Sequence, residues 1–217
     1  MTQVKSFVFS PFQENTYILH DETKECVIID PGCYDSREQQ ILLDFIEKND
    51  LKPVRLLNTH CHLDHVFGNK FVAEKYDLGV ECHEGEAMVL QMSKQVADMY
   101  GVNMEQSPLP ARYIEEGETV SFGNTSMTTL LTPGHSPASI CFYCEKEKFV
   151  IAGDTLFHQS IGRTDLPGGD YDTLIKSIKE QLFTLPDDTQ VYSGHMDSTN
   201  IGFEKMNNPF VGIRAGR

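Results

Sequence analysis

The sequence predicts an α+β fold: two sheets with helices on their outer faces. Strand-type runs fill the first thirty residues, helical and strand patterns then alternate to about residue 100, and strand patterns return between 119 and 152. No linker, repeat or low-complexity stretch interrupts the 217 residues, so a single domain over 1–217 is expected.

In order, strands are expected at 4–9, 16–19 and 26–29, the last ending at the turn Asp30-Pro31-Gly32. Ser36-Arg37-Glu38-Gln39 has capping-box spacing and opens a helix whose apolar side carries Ile41, Leu42, Phe45 and Ile46. Lys52-Pro53 stops that helix, and 54–57 reads as a buried strand. A short helix over 67–76 and a strand over 79–82 follow. The helix from Glu84 to about Met99 shows a face of Met88, Val89, Met92 and Val96, expected to fill the core. Strands are expected at 119–122, 126–131, 139–143 and 149–152, then a Gly/Asp-rich loop to Asp170, a helix with Leu174, Ile175, Ile178 and Leu182, and a strand at 190–192.

Composition excludes several classes. The formal charge of −14 opposes binding to nucleic acid or to an anionic membrane. No apolar run has the length of a membrane span, and the first residues lack a signal-peptide pattern, so a cytoplasmic protein acting on a small molecule is expected. Six scattered cysteines form no disulfide framework, which agrees with a reducing compartment. Cys141 and Cys144 stand three apart on a strand pattern and so point to opposite faces, as core residues and not as a metal pair.

The chemistry concentrates at Asn58-Thr59-His60-Cys61-His62-Leu63-Asp64-His65. His60 and His62 alternate in extended chain and can face one point, with Asp64 and His65 following where a helix should begin. Imidazole and carboxylate together suit zinc, iron or manganese. Three more apolar runs end in such a residue: at His135, at Asp154 and at His195, each directly preceded by glycine. If these strands are neighbours, their ends converge on one sheet edge. Seven candidates (His60, His62, Asp64, His65, His135, Asp154 and His195) exceed the needs of one tetrahedral ion and match two. Asp30 also ends an apolar strand, as a turn former or as a carboxylate orienting a ligand. His20, His83 and His158 are read as non-ligands.

Thr59-His60-Cys61-His62-Leu63-Asp64-His65 resembles the T-H-x-H-x-D-H signature of the metallo-β-lactamase superfamily. Gly153-Asp154-Thr155-Leu156-Phe157 and the loop from Ser160-Ile161-Gly162-Arg163-Thr164-Asp165 to Asp170 are similar to those of short, single-domain relatives of glyoxalase II, the hydroxyacylglutathione hydrolases. The resemblance implies an αββα sandwich with two divalent ions, zinc first among them. It implies His60, His62 and His135 on one ion, Asp64, His65 and His195 on the other, and Asp154 as bridge. Met196-Asp197 departs from the Gly-Pro that relatives often carry there, and places an anion beside the site.

Two ions sharing a water lower its pKa and supply hydroxide for attack on a thioester, with Asp64 orienting the nucleophile or taking a proton. The expected activity is hydrolysis of a hydroxyacyl-glutathione-like thioester. A mononuclear-iron persulfide dioxygenase-like enzyme using His60, His135 and Asp154 is the first rival. Nuclease and β-lactamase activities rank lower, and a non-catalytic metal-dependent binding protein is the remaining class.

Overall fold

The computed structural model describes residues 1–213 and 215, which group into two compact units. The first comprises Met1–Ile114 with Ser121–Ser126, the second Glu115–Val120 with Met127–Arg217.

In the first unit, β1 (Gln3–Phe9), β2 (Glu14–His20), β3 (Glu25–Ile29), β4 (Lys52–Leu57), β5 (Val80–Cys82) and β6 (Arg112–Tyr113) form a sheet in that order. β1–β2–β3 is an antiparallel meander, and β3 to β6 pair in parallel. Parallel pairing needs crossovers, supplied by α1 (Ser36–Lys48) between β3 and β4, by α2 (Leu63–Val66) and α3 (Asn69–Tyr76) between β4 and β5, and by α4 (Ala87–Tyr100) between β5 and β6. Every residue of β2 is buried, whereas β1, at the sheet edge, is half exposed. Pro53 sits at the register shift opposite Cys26, where the ladder is already broken, so its missing N–H does little harm.

α1 forms where its periodicity places it, but the cap lies one residue earlier than expected. Asp35 Oδ1 accepts from Glu38 N at 2.9 Å, and the Glu38 carboxylate takes the Tyr34 and Ser10 amides. The helix buries Leu42 and Ile46, worth about 2 kcal/mol each.

The α4 expectation is overturned. In α4 (Ala87–Tyr100) the buried residues are Leu90, Ser93 and Ala97, while Met88 is 70% and Met92 46% exposed. Val89 and Val96 pack at the flank. The helix turns its small residues inward, which permits close approach, and leaves the long flexible methionines at the surface.

Asp21 ties the tip Ser121–Ser126 into this unit by accepting from the Thr23 and Asn124 amides and the Thr23 and Thr125 hydroxyls. Burial works to raise its pKa, but these donors outweigh burial and hold the carboxyl at about 2, against an ordinary 3.8. Because the folded value is the lower one, the contribution is complete above the unfolded pKa and lost as pH falls through the folded one. Acid titration of thermal stability should therefore be shallower in Asp21→Asn than in the wild type between about pH 4 and 2. Identical slopes would show that Asp21 is not the linked group.

In the second unit a sheet runs in the order β14 (Thr199–Asn200), β13 (Gln190–Ser193), β10 (Phe149–Gly153), β9 (Ile140–Cys144), β8 (Thr125–Leu131), β7 (Thr119–Phe122). β10 and β13 are parallel, while β9 is antiparallel to both β10 and β8. β8, β10 and β13 therefore point the same way, and their C-terminal ends share one edge. Three of the four ligand-bearing runs are brought together here. The fourth, β4, belongs to the first unit's sheet, so the expectation of one common sheet edge is corrected. The stretch read as loop after Asp154 contains a small hairpin, β11 (Leu156–Phe157) and β12 (Ser160–Ile161). α5 (Tyr171–Glu180) is capped by Asp170, whose Oδ1 accepts from Thr173 N at 2.7 Å, and α6 (Ile201–Asn207) follows β14. Gly134 adopts φ +127, and a Cβ there would collide with the Leu174 backbone at the start of α5.

Two mixed six-stranded sheets with helices match the α+β class read from the sequence. Among the described residues no helix is long and apolar enough to cross a membrane.

Candidate metal centre

In the first unit the ligand segment leaves β4 at Leu57, bends at Thr59, and passes through an extended His62 into α2 at Leu63. The His60 and His62 rings lie 4.9 Å apart, nearly perpendicular, and His60 and His65 4.1 Å apart. Donor atoms of Asp30, His60 and His65 fall within 4.8 Å of one another, and Asp64 Oδ2 lies 3.9 Å from His65 Nε2.

Asp30 organises this cluster. Its backbone is left-handed, φ +49, which turns the chain out of β3. Its Oδ1 accepts from Thr59 N at 2.7 Å, and its Oδ2 from the Thr59 hydroxyl at 2.6 Å and from His65 Nδ1 at 3.1 Å. The His65 proton is thereby fixed on Nδ1, so the neutral ring has its lone pair on Nε2. Thr59 has given its proton to Asp30, so at 3.1 Å its oxygen can only accept from His60 Nδ1. His60 then also has its lone pair on Nε2. One carboxylate sets two imidazoles in the tautomer that a divalent cation requires.

Two buried acids here escaped sequence reasoning. Glu86, fully buried, accepts the Cys61 amide at 2.9 Å, which holds the backbone between His60 and His62. Glu14, also fully buried, lies 3.9 Å from His65 Nδ1. Burial above all pushes its pKa well above the usual range, countered in part by His65. The one available signal for Glu14 was an acid in the strand leading to the Asn15-Thr16-Tyr17 run. Cys61 is buried in the apolar core, where burial, with Cys82 beside it, pushes its thiol pKa up.

In the second unit His135 Nε2 and His195 Nε2 lie 3.4 and 3.5 Å from the same oxygen, Asp154 Oδ2. The Arg163 carbonyl only accepts, and His135 Nδ1 donates to it at 2.7 Å. With its proton on Nδ1, an unprotonated Nε2 would turn its lone pair toward the carboxylate oxygen, and a divalent ion between them would accept from both, so the donor set fits such an ion.

The remaining histidines have other duties. His83 Nδ1 accepts from Gly85 N, His20 is buried near Phe45, and exposed His158 packs against Phe203. Cys141 and Cys144 are buried thiols, not joined by a disulfide; the Cys141 thiol meets Thr132 and Thr155 hydroxyls inside the second unit's core. A Cys141→Ser, Cys144→Ser double variant should retain wild-type metal content by elemental analysis. Metal loss with the fold intact would contradict that placement.

The family description "Metallo-beta-lactamase superfamily" matches residues 9–195. The hydroxyacylglutathione hydrolase GloC of Haemophilus influenzae is 38% identical over 208 residues, covering 94% of this chain and 95% of that protein. The BLEG-1 B3 metallo-beta-lactamase structure aligns with a TM-score of 0.89 at 34% identity, over 96% of this chain and 99% of that one. TTHA1623, solved in a di-iron-bound form, aligns with a TM-score of 0.86 at 37% identity, over 95% and 100%. Strand ends bearing histidines and aspartates, and this agreement along nearly the whole chain, lead to one conclusion: the protein belongs to the metallo-β-lactamase superfamily and carries the His/Asp metal-site clusters of a metal-dependent hydrolase.

Proposed function

We propose that the protein is a binuclear metal-dependent thioesterase acting on a hydroxyacyl-glutathione-like substrate. The observation that carries the binuclear reading is Asp154, one carboxylate flanked by two imidazole nitrogens at near-equal distances. His60, His62 and His135 would hold one ion and Asp64, His65 and His195 the other, with Asp154 bridging. Similarity to GloC supports the thioester. Zinc suits the donors, and the di-iron form of TTHA1623 supports iron as the alternative.

Divalent ions held by such donors would make a water acidic enough to supply hydroxide and would polarise a carbonyl. The chain's own residues prepare that chemistry. Asp30, through Thr59, and the Arg163 carbonyl hold imidazoles in their metal-binding tautomer. Asp64 sits in the first turn of α2, where its carboxylate can orient a water or take its proton. Met196 and Asp197 directly follow His195 on exposed backbone, with Met196 left-handed at φ +65, and would border the leaving group.

Elemental analysis of protein purified without chelator should find about two ions per chain, since a closed zinc site takes about four protein ligands. One ion or fewer, even after reconstitution, overturns the binuclear reading. A screen of lactoyl-glutathione, other acyl thioesters and a chromogenic cephalosporin tests the substrate. Turnover of the cephalosporin alone would favour the activity of the B3 relative instead.

A further inference from the structure

We infer that Glu204 and Asn208, on and just after α6, are positioning residues for His135 and Asp154. This rests on the metal-centre reading above. Both side chains are fully buried in a region with no ligand of its own. The Glu204 carboxylate accepts three bonds: from Gln159 N at 3.0 Å, from the Thr199 hydroxyl at 2.6 Å and from Asn208 Nδ2 at 2.8 Å. Asn208 Nδ2 also donates to the Ser160 carbonyl at 3.0 Å. Gln159 and Ser160 form the turn and return of the β11–β12 hairpin, and Gln159 is left-handed at φ +55. The two side chains thus grip that hairpin at its bend, by one backbone donor and one backbone acceptor. On its other side, Ser193 Oγ donates to the Leu156 carbonyl at 2.8 Å, directly before Gly194-His195.

The hairpin leads straight into the ligands. Gly162, one residue past β12, packs so tightly on the Asp154 carbonyl that a Cβ would collide with it, and the same Cβ would stand 3.1 Å from His135 Cβ. Arg163, the next residue, supplies the carbonyl that fixes the His135 tautomer. A buried carboxylate on the last helix therefore sets where that carbonyl stands. Partners that orient metal ligands from behind are worth about 10–100-fold in metal affinity when removed.

Glu204→Gln keeps the shape but sets an amide donor against one of its three donors. Asn208→Ala removes the Ser160 bond and serves if the first variant fails to fold. Asp21→Asn is the control: it weakens a buried, multiply bonded carboxylate remote in sequence from every ligand. Metal dissociation constants by chelator competition, the visible spectrum of cobalt-substituted protein and the melting temperature of the apoprotein are measured for each. The expected result is about a 10–100-fold weaker affinity for at least one ion and an altered cobalt spectrum in the Glu204 and Asn208 variants, with both unchanged in the control. Variants that melt lower but bind metal with the wild-type constant and spectrum would overturn the inference, leaving only a structural role. Wild-type protein that binds no divalent ion would overturn the metal-centre reading itself, and this inference with it.

Discussion

Asp154→Asn should lose about a thousand-fold in thioester turnover, hold at least one ion more weakly, and keep its fold. Asp154 ends β10, a strand buried along its whole length, where a carboxylate is costly to desolvate without compensation. Cations held beside it, as proposed, would keep it ionised. Asparagine preserves the shape but removes the charge and weakens the oxygen that both imidazoles face. Several kcal/mol of transition-state stabilisation are then lost, at about 1.4 kcal/mol per tenfold in rate. Metal content, circular dichroism and turnover are measured together. A variant that holds two ions and turns over at the wild-type rate would falsify the bridging assignment.

The second large effect is expected at Asp30. Asp30→Asn cannot accept at once from the Thr59 amide, the Thr59 hydroxyl and His65 Nδ1. Whichever way the amide turns, an NH2 group meets a donor. A buried donor left without its acceptor costs about 1–3 kcal/mol, so the one or two lost, depending on the amide's orientation, place the loss near 1–6 kcal/mol. For a chain of this size that lowers the melting temperature by about 2–24 °C. His60 and His65 also lose the constraint on their tautomers, and metal affinity should fall by about 10–100-fold. Calorimetry of the apoprotein separates the two effects from chelator competition. Wild-type affinity in the variant would mean that Asp30 shapes the turn and nothing more.

What the sequence made legible follows the range of the interactions involved. His60, His62, Asp64 and His65 could be read because six residues carry all four. Asp154 and His195 could be read because each ends an apolar run, and β10 and β13 prove to be parallel neighbours. Glu86 and Glu14 could not, since an acid in sequence carries no mark of being buried. Their roles depend on Cys61 N and His65, 25 and 51 residues away. The β11–β12 hairpin was hidden because two-residue strands show no periodicity. The α4 face was misread for another reason. Its methionines and its small residues repeat at the same helical spacing, and helix packing, not hydropathy, chose which stripe went inside.

The bonds from Asn124 and Thr125 to Asp21 span 103 and 104 residues. On a ribosome adding roughly 5–20 residues per second, the stretch between them takes about 5–20 s to appear. During that interval the whole β1–β2–β3 segment has been made, and its own pairings are local, while the Asp21 carboxylate still lacks its distant donors. The nascent protein therefore spends seconds with its earliest strands made but unlatched, and a chaperone or protease acting during synthesis would meet the chain in that state before it meets the finished fold.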